Sequence, residues 1–107
     1  MAQFDVHRNT GRQRDVIPFV VVVQSSLFES YRRMVVVPLV LQSALGSGLL
    51  RSDLNPAFVL EGKAVLLHPL EIVSVSRDSL GERISSLSDQ APQITQALDR
   101  LLSQAWH

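Results

Sequence analysis

The chain has 107 residues, ten basic and ten acidic, no cysteine and a formal net charge of zero at pH 7. That length supplies one modest core, read as a single domain over residues 1–107 that buries about two-thirds of the surface its unfolded form exposes. The even charge balance excludes whole-molecule attraction to nucleic acid or anionic lipid, and the lack of cysteine excludes disulfides, thiolate metal sites and thiol nucleophiles and fits a reducing compartment.

Gln3-Phe4-Asp5-Val6-His7 alternates polar and apolar residues, which predicts a half-buried first strand with Phe4 and Val6 on one face. The first fourteen residues carry Asp5, Arg8, Arg12 and Arg14 and have no apolar centre of the kind a signal peptide needs. Residues 9–15, with Gly11 and three arginines nearby, predict an exposed loop. Pro18-Phe19-Val20-Val21-Val22-Val23 is rich in β-branched residues and apolar on both faces, so it predicts a central strand covered on both sides, with Pro18 at its start. The apolar stretch over 16–23 is far shorter than the ~20 residues a bilayer requires. A soluble, cytoplasmic protein is the expectation.

Met34-Val35-Val36-Val37-Pro38-Leu39-Val40-Leu41 predicts a second strand of the same kind, and the link between the two, residues 24–33, sets Leu27, Phe28 and Tyr31 beside charges. Gly46, Gly48, Asn55 and Pro56 punctuate an irregular region. Ala57-Phe58-Val59-Leu60 and Ala64-Val65-Leu66-Leu67 then flank Glu61-Gly62-Lys63, which predicts a hairpin. Pro69 ends its second arm, and the alternation over 70–75 predicts one more edge or half-buried strand. From Ser88 onward Ile94, Ala97, Leu98, Leu101, Leu102 and Ala105 recur at helical spacing; Ser88 or Asp89 is the expected cap, and Pro92 falls in the first turn.

Little in the chain offers catalysis. His7, His68 and His107 lie in three separate segments with no helical pairing to another His or to an acid, which gives no metal signal and reads as two strand-surface histidines and a terminal one. Gly46-Ser47-Gly48 lacks the Lys-Ser/Thr that would hold phosphates and reads as a turn. Arg32-Arg33 suits either a phosphate or carboxylate contact or a solvated strand edge that resists β-aggregation. Trp106, the single tryptophan, stands one residue from the end, where it either plugs a core or dimer seam or anchors a partner.

In their order, Gln3-Phe4-x-Val6, Val23-Gln24-Ser25, Arg32-Arg33-Met34-Val35-Val36-x-Pro38-Leu39, Leu54-Asn55-Pro56, Gly81-Glu82, and Leu87-Ser88 with Ile94-x-x-Ala97-Leu98 resemble the CcdB toxins nearly end to end. The resemblance implies a mainly β (α+β) fold, an SH3-like barrel of antiparallel strands with a small accessory sheet and a C-terminal α-helix. It implies a cytoplasmic homodimer that needs no cofactor and no metal, is not an enzyme, is neutralised by a CcdA-like antitoxin, and poisons DNA gyrase by binding its A subunit and trapping the cleaved-DNA complex. Carried over by position, the gyrase-binding residues are Ser25, Leu27 and Phe28 on the loop after the Val-Gln-Ser strand, with Asp99, Leu102, Trp106 and His107 from the helix and its end. Two copies of Trp106 near a two-fold axis then form one self-complementary patch. The chain departs from the family at its end, which is Trp106-His107 where the family has Trp-Gly-Ile; Trp106 also falls about three residues later than the family's tryptophan, whose place Ser103 takes. Two alternatives stand beside this reading. One is a MazF-like endoribonuclease on the same barrel, drawing on Arg12, Arg14 and Arg33 with His7 or Glu29, and the other is a CcdB-like dimer without toxicity.

Overall fold

The computed structural model describes residues 2–45 and 53–103. Gly46, Gly48, Ala105, Trp106 and His107, on which the turn, helix and terminal-patch expectations drew, lie outside the described residues. The strands are β1 (Asp5–Arg8), β2 (Phe19–Val22), β3 (Arg33–Leu41), β4 (Ala57–Leu60), β5 (Lys63–Leu67), β6 (Val73–Ser76) and β7 (Arg83–Ser86), and one helix, α1 (Ala91–Ser103), follows them. All strands join one antiparallel, curled half-barrel sheet in the order β4-β5-β3-β2-β1-β7, with β6 on β3 as a branch.

The two valine-rich segments are apolar on both faces because each face meets a different core. Phe19, Val21, Val37 and Leu39 point into the main core, which Ile94 and Ala97 of α1 close. Val22, Met34 and Val36 point the other way, into a small second core completed by Val20, Val75 and Leu80. The period-2 alternation of a strand therefore sorts one continuous apolar run into two clusters.

β3 is the trunk of the sheet. Along one edge it pairs with β2; along the other, its first half pairs with β6 (Val36↔Val73) and its last residues with β5 (Leu39↔Leu67), so the accessory element branches from this strand. Pro38 sits in the gap between the two branches. Val23 N–H donates to Val35 O at 3.0 Å, and antiparallel alternation then makes Val20↔Pro38 a non-hydrogen-bonded pair whose backbone groups face away from β2. On that outer side the Pro38 carbonyl accepts from His68 N–H at 3.0 Å, and the missing N–H falls where neither branch asks for a donor.

The β4–β5 hairpin closes with a two-residue turn, Glu61 (φ 52) and Gly62 (φ 76), tighter than the three-residue turn read from sequence because Leu60 pairs with Lys63. Two positive φ values define a type I′ turn, whose twist matches that of the strands. The curl of the sheet carries this tip to β1, three strands away, where the Arg8 guanidinium grips Glu61 bidentately at 2.9 and 2.7 Å and also donates to Glu82 at 3.1 Å. These hydrogen bonds hold the Glu61 carboxyl below its usual range and raise the Arg8 guanidinium, the bond to Glu61 leading in each case.

Several expectations are corrected. The first strand begins at Asp5, not Gln3, because Phe4 adopts φ 72 and turns the chain, donating its N–H to Val22 O at 2.6 Å. Asp5, Val6 and His7 are all buried, so both of its faces are covered, and β7, unseen in the sequence, pairs along its outer edge and brings Arg83 within 3.1 Å of Asp5. His7 is likewise buried, with its Nδ1 2.9 Å from the Gly81 carbonyl, so Nδ1 carries the proton and donates; it is not a strand-surface residue. His68 is half-buried just past β5. The strand expected over 70–75 starts only at Val73, since Pro69–Glu71 forms a 3-10 turn. Ser88 and Asp89 lie in a further 3-10 turn, Ser88–Gln90, that runs into α1 at Ala91. The apolar stripe of α1 is also split: Ile94 and Ala97 are buried, Leu98 and Leu101 half-buried, and Leu102 exposed.

Candidate functional site

The loop over residues 24–32 leaves β2 and returns as β3, and local bonding shapes it more than packing does. Ser25, at φ −56 and ψ 142, has its Oγ accepting from Leu27 N–H at 3.2 Å and thereby starts a 3-10 turn, Ser26–Phe28. Phe28 N–H donates to Ser25 O at 2.9 Å and Tyr31 N–H to Phe28 O at 3.0 Å. The Gln24 carboxamide lies across the neck of the loop, donating to Phe28 O at 2.9 Å and Arg33 O at 3.2 Å while accepting from Val35 N–H at 2.9 Å. From the other side Gln3 N–H reaches Ser26 Oγ at 3.4 Å and the Gln3 carboxamide donates to Val23 O at 3.1 Å, so the turn at Phe4 buttresses the loop.

The turn holds large apolar groups out in water. Leu27 is 85 % exposed, Phe28 60 % and Tyr31 55 %, and with Gln24, Ser30 and Val35 they line an open groove of about 600 Å³. Fully covering an aliphatic or aromatic side chain of this size is worth roughly 1.5–3 kcal/mol, so the loop carries hydrophobic energy that the fold itself leaves unused. Arg32 and Arg77 stand nearby: Arg77 N–H donates to Arg32 O at 3.3 Å and its guanidinium reaches Tyr31 O at 3.5 Å. Arg33 is committed to Ser74 through Oγ at 3.0 Å and the carbonyl at 2.6 Å, which joins β3 to β6, so this arginine lies on a paired edge and not on a free, solvated one.

Of the residues carried over by resemblance, Ser25, Leu27 and Phe28 are brought together on this one loop. Asp99 and Leu102, three residues apart on α1, share its exposed side, with Leu102 75 % exposed. The two groups sit on separate elements, the loop between β2 and β3 and the helix α1. Arg100 fixes α1 further through Asp53 at 2.8 Å. Trp106 and His107 lie outside the described residues. Sequence reasoning missed Gln24 and Gln3 as supports of the loop; both stand in quoted motifs, yet their partners become visible only once the loop is folded.

The residues drawn on for the RNA-cleaving alternative stand in different surroundings. His7 is buried against Gly81, Arg33 is bonded to Ser74, and Glu29 is exposed on the loop. Neither they nor Arg12 and Arg14 line the loop groove, the small concavity between Arg8 and Leu80, or the larger one between Val16 and Val73. Among the described residues no three His, Asp or Glu side chains are grouped to hold a metal ion, and no helix is long and apolar enough to cross a membrane.

Comparison with curated proteins gives no match. The family model described as CcdB protein, in contrast, matches residues 3–103, and this span takes in the loop, the branched β3 and all of α1. On that match the chain belongs to the CcdB protein family.

Proposed function

We propose that this protein is the toxin of a toxin-antitoxin pair and acts by binding the A subunit of DNA gyrase and trapping the gyrase-cleaved-DNA complex. One observation carries the reading: a short loop, held by its own hydrogen bonds, presents Leu27 and Phe28 to solvent at the positions that the family uses for this contact. A rigid apolar knob contributes to docking without an ordering cost and performs no bond chemistry, so the activity is one of binding, not of catalysis. Ser25 shapes the turn, Leu27 and Phe28 enter the partner, and Asp99 and Leu102 add a second contact from α1, continued by Trp106 and His107. The acting form is a cytoplasmic homodimer of single-domain chains, two copies of this surface meeting a two-fold target. A CcdA-like antitoxin with an acidic, disordered tail covers the surface and neutralises it.

The test is a supercoiling assay with purified gyrase. The protein is expected to inhibit supercoiling and accumulate cleaved DNA, and Leu27→Ala and Trp106→Ala are each expected to abolish the effect. Leu27→Ala should leave thermal stability within about 0.5 kcal/mol of the parent, because the side chain is exposed. Intact supercoiling activity at saturating protein would overturn the gyrase reading, and degradation of total RNA would replace it with the endoribonuclease alternative. Light scattering at micromolar concentration should give a mass near twice the 11.9 kDa of one chain.

A further inference from the structure

We infer that Gln24 is a positioning residue for the docking loop, an inference that rests on the proposed gyrase contact. The loop has an unusual energetic problem. Leu27, Phe28 and Tyr31 face solvent, so none of the burial that normally fixes a segment is available to fix this one. Its order has to come from hydrogen bonds, and the Gln24 carboxamide supplies three of them from a single half-buried side chain at the neck.

The chemistry of that carboxamide is fully used. Both of its N–H bonds have acceptors, the carbonyls of Phe28 and Arg33, and its oxygen takes the N–H of Val35. One group thus ties the end of the 3-10 turn to both the start and the third residue of β3, setting the angle at which Leu27 and Phe28 leave the sheet. Glutamate has the same length and shape but sets an oxygen against two carbonyl oxygens. Methionine has the same reach and no donor, and asparagine is one methylene too short to span the neck. Losing the clamp leaves the turn free to sample other conformations, and the partner then bears the cost of ordering it on binding.

Two measurements on Gln24→Glu, Gln24→Met and Leu27→Ala test this: amide hydrogen exchange in the free protein, and binding to purified gyrase A subunit followed by surface plasmon resonance. Both Gln24 variants should exchange about tenfold faster at amides 27–35 while those of β1, β2 and β5 keep parental rates, and both should bind gyrase about tenfold more weakly. Leu27→Ala should weaken binding and leave exchange unchanged. Parental exchange in the loop of both Gln24 variants would overturn the inference, and so would faster exchange spread evenly over all strands, which marks a merely structural role. Parental binding by the Gln24 variants alongside weak binding by Leu27→Ala would overturn it too. If Leu27→Ala also binds as the parent does, it is the docking reading that fails, and the role of Gln24 in docking fails with it.

Discussion

Replacing Gly81 with alanine gives a sharp test of how the segment after β6 is packed. Gly81 donates its N–H to Arg8 O at 3.2 Å and accepts from His7 Nδ1 at 2.9 Å, so it is stitched to β1 from both sides. A Cβ at this position would stand 2.7 Å from Arg8 O, 3.0 Å from Thr10 Cγ2 and 3.1 Å from Arg8 Cβ. The nearest atom is backbone and cannot swing aside, so the segment must move off β1 by several tenths of an ångström and stretch both hydrogen bonds. Overpacking of this kind costs roughly 1–3 kcal/mol, and weakening the bond to the buried His7 adds up to about 1 kcal/mol. A total near 2–3 kcal/mol lowers Tm by about 10–20 °C in a domain of this size. Calorimetry or circular dichroism melts of the purified variant measure it directly. A Tm within about 3 °C of the parent would refute this reasoning, because it would show that the two segments are not in the close contact described.

Two further outcomes follow from the same geometry. Because Glu61 has a folded-state pKa below its ordinary value of 4.5, the Arg8 clasp stabilises the fold above that pH and is lost as the pH falls through the lower, folded value. Denaturant titrations of the parent and of Glu61→Gln should therefore differ at pH 7 and converge as the pH is taken progressively below 4.5; a gap independent of pH would count against the clasp. Ile94→Ala, at a fully buried site on α1, should cost about 2–5 kcal/mol in the same titration, whereas Leu102→Ala on the exposed side of the helix should stay within about 0.5 kcal/mol.

What could be read from the residues alone was whatever depended on local pattern. The valine-rich runs of β2 and β3 announced cover on both faces, and the two cores supply it. Glu61-Gly62 announced its hairpin, and the helical stripe announced α1. β7 was illegible because Arg83-Ile84-Ser85-Ser86 has one apolar residue and no alternation worth the name; it is a strand because β1 offers it an edge and Asp5 a counter-charge. The burial of His7 was hidden for a related reason, since its cover comes from Gly81, 74 residues away. The candidate site divides along the same line. The exposed apolar character of Leu27 and Phe28 was visible as an oddity of the linker, while the clamp by Gln24 was not, because a glutamine after a strand looks like any solvated residue until the turn places two carbonyls in front of it.

The proline of β3 has a role in choosing the fold as well as fitting it. A strand that is apolar on both faces loses little hydrophobic energy by sliding along its neighbours, so composition alone would let this one settle in several alignments. Sliding by one residue turns the N–H-less nitrogen of Pro38 toward β2; sliding by two sets it opposite a backbone acceptor of β5 or β6. Every misalignment forfeits a ladder bond, and only the native one parks the defect in the fork. Pro38 thus serves as an index mark that makes one threading of an otherwise slippery strand cheaper than its rivals, and fixes in turn where the loop over residues 24–32 emerges.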